Sequence, residues 1–203
     1  MSPENEFFEA VGSGELERVR ALAEAHPDLA ARRRDGATAL HSAAIAGNQP
    51  VADLLIDLGA DLNTRDDEHG AKPAGWANEK GHAQLVVHLV ARGTDVTLCE
   101  AAGWGLADHV TAQLANDSSN IDEHHGFGSA LHYAAVWGHD QIVDQLLAAG
   151  ADPSARSIEG LTAVELARSQ VETDGQRTTI VLPERRREIL AGCRRIIDHL
   201  DPP

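Results

Sequence analysis

The chain has 203 residues, of which 42% are apolar and only 3% aromatic, and it carries a formal net charge of −15 at pH 7. This charge argues against a nucleic-acid partner, because affinity for phosphate backbones comes largely from Lys and Arg. The N-terminus is acidic where a secretory signal would be basic, and no apolar run approaches the ~20 residues that span a bilayer. We therefore expect a cytoplasmic protein with no membrane partner.

A recurring glycine divides the chain into regular intervals. Gly14, Gly47, Gly81, Gly105 and Gly138 each follow a short helix pattern, at spacings of 33, 34, 24 and 33 residues. Periods of this length indicate a repeat protein, in which each unit buries its apolar face against its neighbours.

The residues around these glycines also recur. Residues 39–44 are Ala-Leu-His-Ser-Ala-Ala before Gly47, and residues 130–135 are Ala-Leu-His-Tyr-Ala-Ala before Gly138. Apolar second helices follow, and several repeats close with a Gly-Ala-Asp turn, as at residues 59–61 and 150–152. This pattern resembles the ankyrin repeat over nearly the whole chain. The resemblance implies an all-α solenoid of about five to six helix-turn-helix repeats with short finger loops.

The predicted repeats form a single domain. The second repeat is closest to the family pattern, whereas the third has Gly75 where the motif histidine would stand, which should weaken one hydrogen-bond network. The interval of 24 residues indicates that the fourth repeat enters its helix at Leu98 without a finger. A surface loop at 171–183 and a longer capping helix at 184–199 complete the sixth. The approximate boundaries are 4–35, 36–63, 64–97, 98–120, 121–152 and 153–203.

Most of the aromatic residues fall on the predicted concave side, where ankyrin arrays usually carry their function. Helical spacing places all three tryptophans and the single tyrosine there. Two glutamates beside them would favour a cationic group through cation–π attraction. Packing of the aromatic rings between repeats stays open as an alternative. The predicted ligand-binding residues are Trp76, Glu79, Glu100, Trp104, Phe127, Tyr133 and Trp137.

Two fingers, residues 66–70 and 122–126, carry the titratable groups and look one residue longer than the family's turn. We expect Asp66 and Asp122 to hold these turns. The resemblance implies structural roles for the histidines at 41, 82, 132 and 139. Three consecutive carboxylates at 66–68 should repel one another and raise a pKa, and histidines titrate near neutral pH. The candidate catalytic residues are Glu68, His69, Glu123, His124 and His125.

The missing finger should leave a notch between these two loops, and this notch predicts a pocket with an aromatic floor. We therefore predict a site for a small organic substrate, with cofactor-independent acid–base catalysis such as elimination, conjugate addition or cyclisation. The alternative is a protein-interaction module that binds a basic, aromatic or methylated-amine segment of a partner.

Sequence motifs support no cofactor. Adjacent histidines rarely reach one metal ion together, and no zinc, nucleotide or nucleophile-elbow motif is present. Cys99 and Cys193 lie far apart and form no redox motif, so we predict neither a metal site nor a disulfide.

Overall fold

The structure is a computed structural model that describes residues 2–173 and 183–201. Its regular structure in these ranges is almost entirely helical, apart from two-residue antiparallel strands β1, Arg33–Arg34, and β2, Ala37–Thr38. The predicted all-α class is therefore confirmed. The chain divides into two compact units, the first ending at Asp95 and the second beginning at Val96.

The first unit consists of three helix hairpins. Its helices are α1 Pro3–Ser13, α2 Leu16–Ala25, α3 Ala39–Ile45, α4 Gln49–Asp57, α5 Pro73–Glu79 and α6 Ala83–Ala91, with a 3₁₀ turn at Pro27–Ala31. Each odd-numbered helix pairs with the helix that follows it, and α3 also packs against α1 and α5. Fully buried Phe7, Leu40 and Leu55 fill the core. Alanines such as Ala43 and Ala44 have no exposed surface, which lets neighbouring inner helices approach closely.

The second unit repeats this arrangement with a longer last helix. Its helices are α7 Leu98–Trp104, α8 Ala107–Asn116, α9 Ala130–Val136, α10 Asp140–Ala148, α11 Ala163–Glu172 and α12 Pro183–Leu200. The helix α9 packs between α7 and α11, and α12 packs against α11 and α10. The predicted capping helix is thus present. Residues 171–172, which we predicted in a loop, form the last turn of α11. Residues 174–182, the greater part of that predicted loop, lie outside the described residues.

The motif histidines of α3 and α9 link these inner helices to the fingers that follow them. In α3, His41 Nδ1 accepts the N–H of Thr38 (3.1 Å), and Nε2 donates to the carbonyl oxygen of Ala71 (3.1 Å). In α9, His132 makes the same two bonds. Its Nδ1 accepts the N–H of Ser129 (3.2 Å), and its Nε2 donates to the carbonyl oxygen of Ala155 (3.1 Å). Both rings are fully buried, so the predicted structural role is confirmed.

The third repeat compensates for its missing histidine with a lysine. Lys72 precedes α5 and is only 6% exposed. Its Nζ donates to the carbonyl oxygen of Asp95 (2.6 Å), at the end of the same unit. A long side chain therefore makes the bridge between successive segments that His41 makes one repeat earlier.

The recurring glycines form the turn between the two helices of a hairpin. Gly47 and Gly105 adopt positive φ values of 67° and 77°, which favour glycine. A side chain there would also collide with a histidine ring of the next repeat, His82 at Gly47 and His139 at Gly105. At Gly138 the backbone of α12 occupies the equivalent space. The capping helix thus replaces the next repeat through direct backbone packing.

The predicted absence of a finger before the fourth repeat is confirmed. After α6 the chain passes through Gly93 and starts α7 at Leu98, with Thr97 as N-cap. No helix in the described ranges is long and apolar enough to cross a membrane.

Candidate functional site

Asp66 organises the finger of the first unit. Its carboxylate is 5% exposed, and Oδ1 accepts the N–H groups of Glu68 (3.0 Å) and His69 (2.6 Å). Oδ2 accepts from the Ala71 amide (3.0 Å) and the Trp76 indole (2.9 Å). The prediction that Asp66 holds the turn is therefore confirmed.

The expected rise in pKa within the 66–68 carboxylate run is wrong for Asp66. Burial of its carboxyl group opposes ionisation, but hydrogen bonds from the His69 amide, the Trp76 indole and the Ala71 and Glu68 amides outweigh burial and lower the pKa. Repulsion is relieved because Asp67 turns toward Arg33 (2.7 Å) and the Glu68 side chain is 82% exposed.

Trp76 is held by groups of its own unit. Besides the indole bond to Asp66, its ring meets the His69 ring edge-on, with centroids 5.2 Å apart. The Lys80 ammonium lies 5.5 Å from the centre of the Trp76 ring. One face of the indole is therefore near a cation that the chain itself supplies, and Glu79 lies just before this lysine at the end of α5. Ligand binding by Trp76 and Glu79 stays a prediction.

The finger of the second unit is built on Tyr133. The amide of His125 donates to Gly128 (3.0 Å), and the Tyr133 hydroxyl donates to the His125 carbonyl (2.9 Å). The rings of Phe127 and Tyr133 lie 4.3 Å apart between centroids. Gly126 has φ +60°, with the Tyr133 hydroxyl directly against it. These contacts hold the finger in one conformation.

This finger is also joined to the next one. Asp122 Oδ1 accepts the Asp152 amide (3.0 Å), so this carboxylate ties its finger to the next repeat rather than closing its own turn. The amide of Ile158 donates to the Phe127 carbonyl (2.9 Å). Two successive fingers therefore form one hydrogen-bonded surface.

The candidate catalytic side chains project into solvent. Those of Glu68 and His69 are 82% and 54% exposed, and their closest nitrogen–oxygen distance is 4.0 Å. Those of Glu123 and His125 are 58% and 48% exposed and 3.9 Å apart. Both distances exceed that of a hydrogen bond. The His124 ring meets the buried His132 ring edge-on, with centroids 5.8 Å apart.

Glu100, a candidate ligand residue, takes part in a helix cap. Its carboxylate accepts the Thr97 amide (3.0 Å), and the Thr97 hydroxyl accepts the Glu100 amide (3.2 Å). This reciprocal pair is a capping box, which satisfies donors that the start of α7 would otherwise leave free. The cap accounts for a glutamate at this position without a ligand.

Two of the candidate aromatic residues pack between repeats. A Cβ built on Gly103 of α7 would lie 3.2 Å from the Tyr133 ring and 3.6 Å from Trp137. The side chains of Tyr133 in α9 and of its C-cap, Trp137, thus cover Gly103. This agrees with the alternative that the aromatic rings pack between repeats. Trp104 is half-buried at the end of α7. Trp137 also lines a cavity of about 250 Å³ together with Gly105, His139 and Arg195.

The described residues contain no group of three or more His, Cys, Asp or Glu side chains that could hold a metal ion. Cys99 and Cys193 are both free and buried, and burial raises the pKa of each thiol to about 12. Neither is therefore ionised near neutral pH, so neither is a nucleophile there.

Sequence reasoning missed the exposed Ile158, whose relative exposure is 74%. An isoleucine within a finger, where polar residues prevail, was the available signal. It also missed two arginines that stabilise the finger turns. The Arg65 guanidinium donates to the carbonyl oxygen of Gly70 (2.7 Å), and that of Arg156 donates to the carbonyl oxygen of Gly160 (2.6 Å).

The fingers of the two units differ in charge. The first-unit fingers, residues 33–38 and 61–72, contain five acidic and four basic residues. The second-unit fingers, residues 122–129 and 152–161, contain four acidic residues, namely Asp122, Glu123, Asp152 and Glu159, and a single basic one, Arg156. All five of these side chains belong to exposed residues. The second-unit fingers therefore carry the larger excess of negative charge.

Two family models match the chain. One, described as Ankyrin repeats (3 copies), matches residues 7–100, and the other, described as Ankyrin repeat, matches residues 129–158.

Several curated proteins are similar in sequence. The human Palmitoyltransferase ZDHHC17 is 25% identical over 209 residues, which covers 81% of this chain and 33% of the relative. Ankyrin repeat and SAM domain-containing protein 6 of Rattus norvegicus is 34% identical over 113 residues, or 55% of this chain and 12% of the relative. The human SH3 and multiple ankyrin repeat domains protein 2 is 32% identical over 151 residues, which covers 74% of this chain and 7% of the relative. The chain spans a third or less of the length of these relatives. The helix hairpins and bridging histidines agree with both family matches, so this chain belongs to the ankyrin-repeat family.

Proposed function

We propose that this ankyrin-repeat scaffold recognises a partner protein by binding a basic segment on its second-unit fingers. Ankyrin repeats commonly serve as protein-interaction modules. The observation that carries the proposal is the excess of four acidic residues over one basic residue on two fingers joined by hydrogen bonds. The nearly balanced charges of the first-unit fingers favour the second unit as the binding surface.

The physical basis is electrostatic complementarity on a preorganised surface. A single exposed ion pair contributes only about 0.2–1 kcal/mol, so several must act together. The Tyr133–His125 and Asp122–Asp152 bonds already hold the fingers, so little loop entropy is lost when a partner binds. A lysine, arginine or methylated amine that reaches the Phe127–Tyr133 ring pair would gain cation–π attraction as well.

Acid–base catalysis on a small organic substrate stays a prediction from the sequence. Glu68, His69, Glu123 and His125 are largely exposed, whereas catalytic electrostatics are strongest where water is excluded. The geometry supports recognition better than turnover.

Selection of short random peptides against the immobilised chain tests the proposal. We expect enrichment of Lys and Arg among the selected peptides. The substitution Glu123→Gln should weaken their binding roughly two- to fivefold at low salt, because it removes an exposed charge. This difference should shrink at about 0.15 M salt, where the screening length is about 8 Å.

Glu24→Gln is the matched control, because it removes the same charge from an exposed position on α2 in the first unit. Selected peptides without Lys or Arg enrichment, or equal loss with both variants, would overturn the proposal.

A further inference from the structure

We infer that the partner segment carries an apolar side chain that packs on Ile158 beside Phe127, between flanking Lys or Arg residues. This inference rests on the proposed function. An apolar anchor, together with charge complementarity, defines the kind of segment that the second-unit fingers accept.

Ile158 is a highly exposed apolar side chain. Its relative exposure of 74% exceeds that of the other exposed large apolar side chains in the described residues, Ile45, Leu58 and Val87, which range from 39% to 54%. A single exposed apolar residue is ordinary, but one placed beside further apolar surface can mark a binding site.

The position of Ile158 is fixed by its own finger. The Ser157 amide donates to the carbonyl oxygen of Leu161 (2.8 Å), and the Gly160 amide donates to the carbonyl oxygen of Ser157 (2.9 Å). Ser157 itself is buried, and Arg156 braces the turn on the Gly160 carbonyl (2.6 Å). Ile158 is therefore presented by an ordered turn, so packing a partner against it requires little ordering of the loop.

The backbone of Ile158 contacts the neighbouring finger, which carries an aromatic pair. The Ile158 amide donates to the Phe127 carbonyl (2.9 Å), so the two backbones are in direct contact. Phe127 is half-buried, and its ring lies against Tyr133 with centroids 4.3 Å apart. One backbone hydrogen bond thus places Ile158 next to the finger that carries the Phe127–Tyr133 ring pair.

Acidic residues lie beside Ile158 in sequence and on the finger of Phe127. Glu159 follows Ile158 directly, and Glu123 lies on the Phe127 finger with its side chain 58% exposed. Protein interfaces combine an apolar centre, which carries most of the affinity, with a polar rim that selects the partner by charge. An apolar residue between basic residues matches this layout, whereas an acidic segment would be repelled.

The test uses peptides selected from the random library on the full chain. Their affinities are measured by fluorescence anisotropy for the wild type, for Ile158→Ser and for Val87→Ser. Val87 is the matched control, an exposed apolar residue of α6 in the first unit with 54% exposure. Circular dichroism melts verify that both variants fold.

We expect Ile158→Ser to weaken binding about tenfold, as for the loss of one well-buried apolar contact, and Val87→Ser to change it less than about twofold. Replacing the apolar residue of the peptide by serine should cause a similar loss on the wild type and little further loss on Ile158→Ser.

Selected basic peptides that bind Ile158→Ser as tightly as the wild type would overturn the anchor and leave the proposed function standing. Selected peptides without Lys or Arg enrichment would overturn both.

Discussion

At the scale of single residues, Asp66 shows how a surface finger is fixed by one carboxylate. Four N–H donors converge on its two oxygens, from Glu68, His69, Ala71 and the Trp76 indole. A charged acceptor suits this arrangement, because hydrogen bonds to an ionised group are stronger than those between neutral groups. The pKa of Asp66 is lowered for the same reason, since the donors outweigh the effect of burial.

Asp66→Asn should lower the free energy of unfolding by about 2–3 kcal/mol, because an amide has one acceptor oxygen for four donors. Urea unfolding measures this change. Asp67→Asn, at a side chain that is 74% exposed and paired with Arg33, should cost less than about 1 kcal/mol. Equal costs for the two variants would contradict the role given to Asp66.

At the scale of secondary structure elements, the inner helices are short and depend on their caps and neighbours. The helices α3, α5, α7 and α9 each have seven residues, too few to persist alone in water. Capping boxes begin α3, α7, α9 and α11, closed by His41, Glu100, His132 and Glu165. Burial of their alanine faces supplies the remaining stability.

The last helix is held by glycine-to-glycine packing. A Cβ added at Gly192 of α12 would overlap the carbonyl oxygen of Gly138, and one added at Gly138 would overlap Ile189. This contact lies where His82 and His139 pack on earlier glycines. A cap that replaces a repeat therefore needs a small residue at position 192.

Gly192→Ala should destabilise the protein by about 1–3 kcal/mol, since α12 must move away from Gly138. Thermal unfolding followed by circular dichroism measures the effect. Gly12→Ala in α1 is the control, because a Cβ there meets nothing within 4 Å. Alanine is the better helix former by about 0.5–1 kcal/mol, so the control should be stabilising. A stabilising Gly192→Ala would show that the close contact is absent.

At the scale of the whole molecule, buried histidines couple stability to pH. Burial lowers the pKa of His41, His132 and His139, in His139 to about 4. The unfolded chain, with histidines near pKa 6.5, then binds more protons than the folded chain at mildly acidic pH. The stability that these residues contribute is complete above about pH 6.5 and is lost as the pH falls toward the folded pKa values.

The urea midpoint should therefore fall between about pH 7 and pH 5, and His139 alone could account for roughly 3 kcal/mol by pH 4. His139→Gln, which cannot titrate at this position, should show a shallower dependence. A slope identical to that of the wild type would mean that His139 is not the source.

Much of the scaffold could be predicted because the relevant signals are local. The glycine interval, the alanine-rich inner helices and the histidines at 41 and 132 follow from patterns within one repeat. The cap formed by Glu100 could have been predicted too, since residues 97–100 carry the capping-box signature. The candidate site was predicted only in part: Asp66 holds its turn as expected, Asp122 bonds instead to the next repeat, and Tyr133 and Trp137 pack on Gly103.

The repeat architecture, the missing fourth finger and the closing helix follow from the order of amino acids alone, because each depends on residues close together along the chain. Three features emerged only from the folded structure: four donors lower the pKa of Asp66, Lys72 replaces a histidine, and α12 packs on Gly138. The backbone contact between Ile158 and Phe127 is a fourth such feature. Each of these features joins atoms from different segments of the chain. The distances between these atoms and the burial of these residues arise from packing, which the spacing of residues in the sequence does not encode.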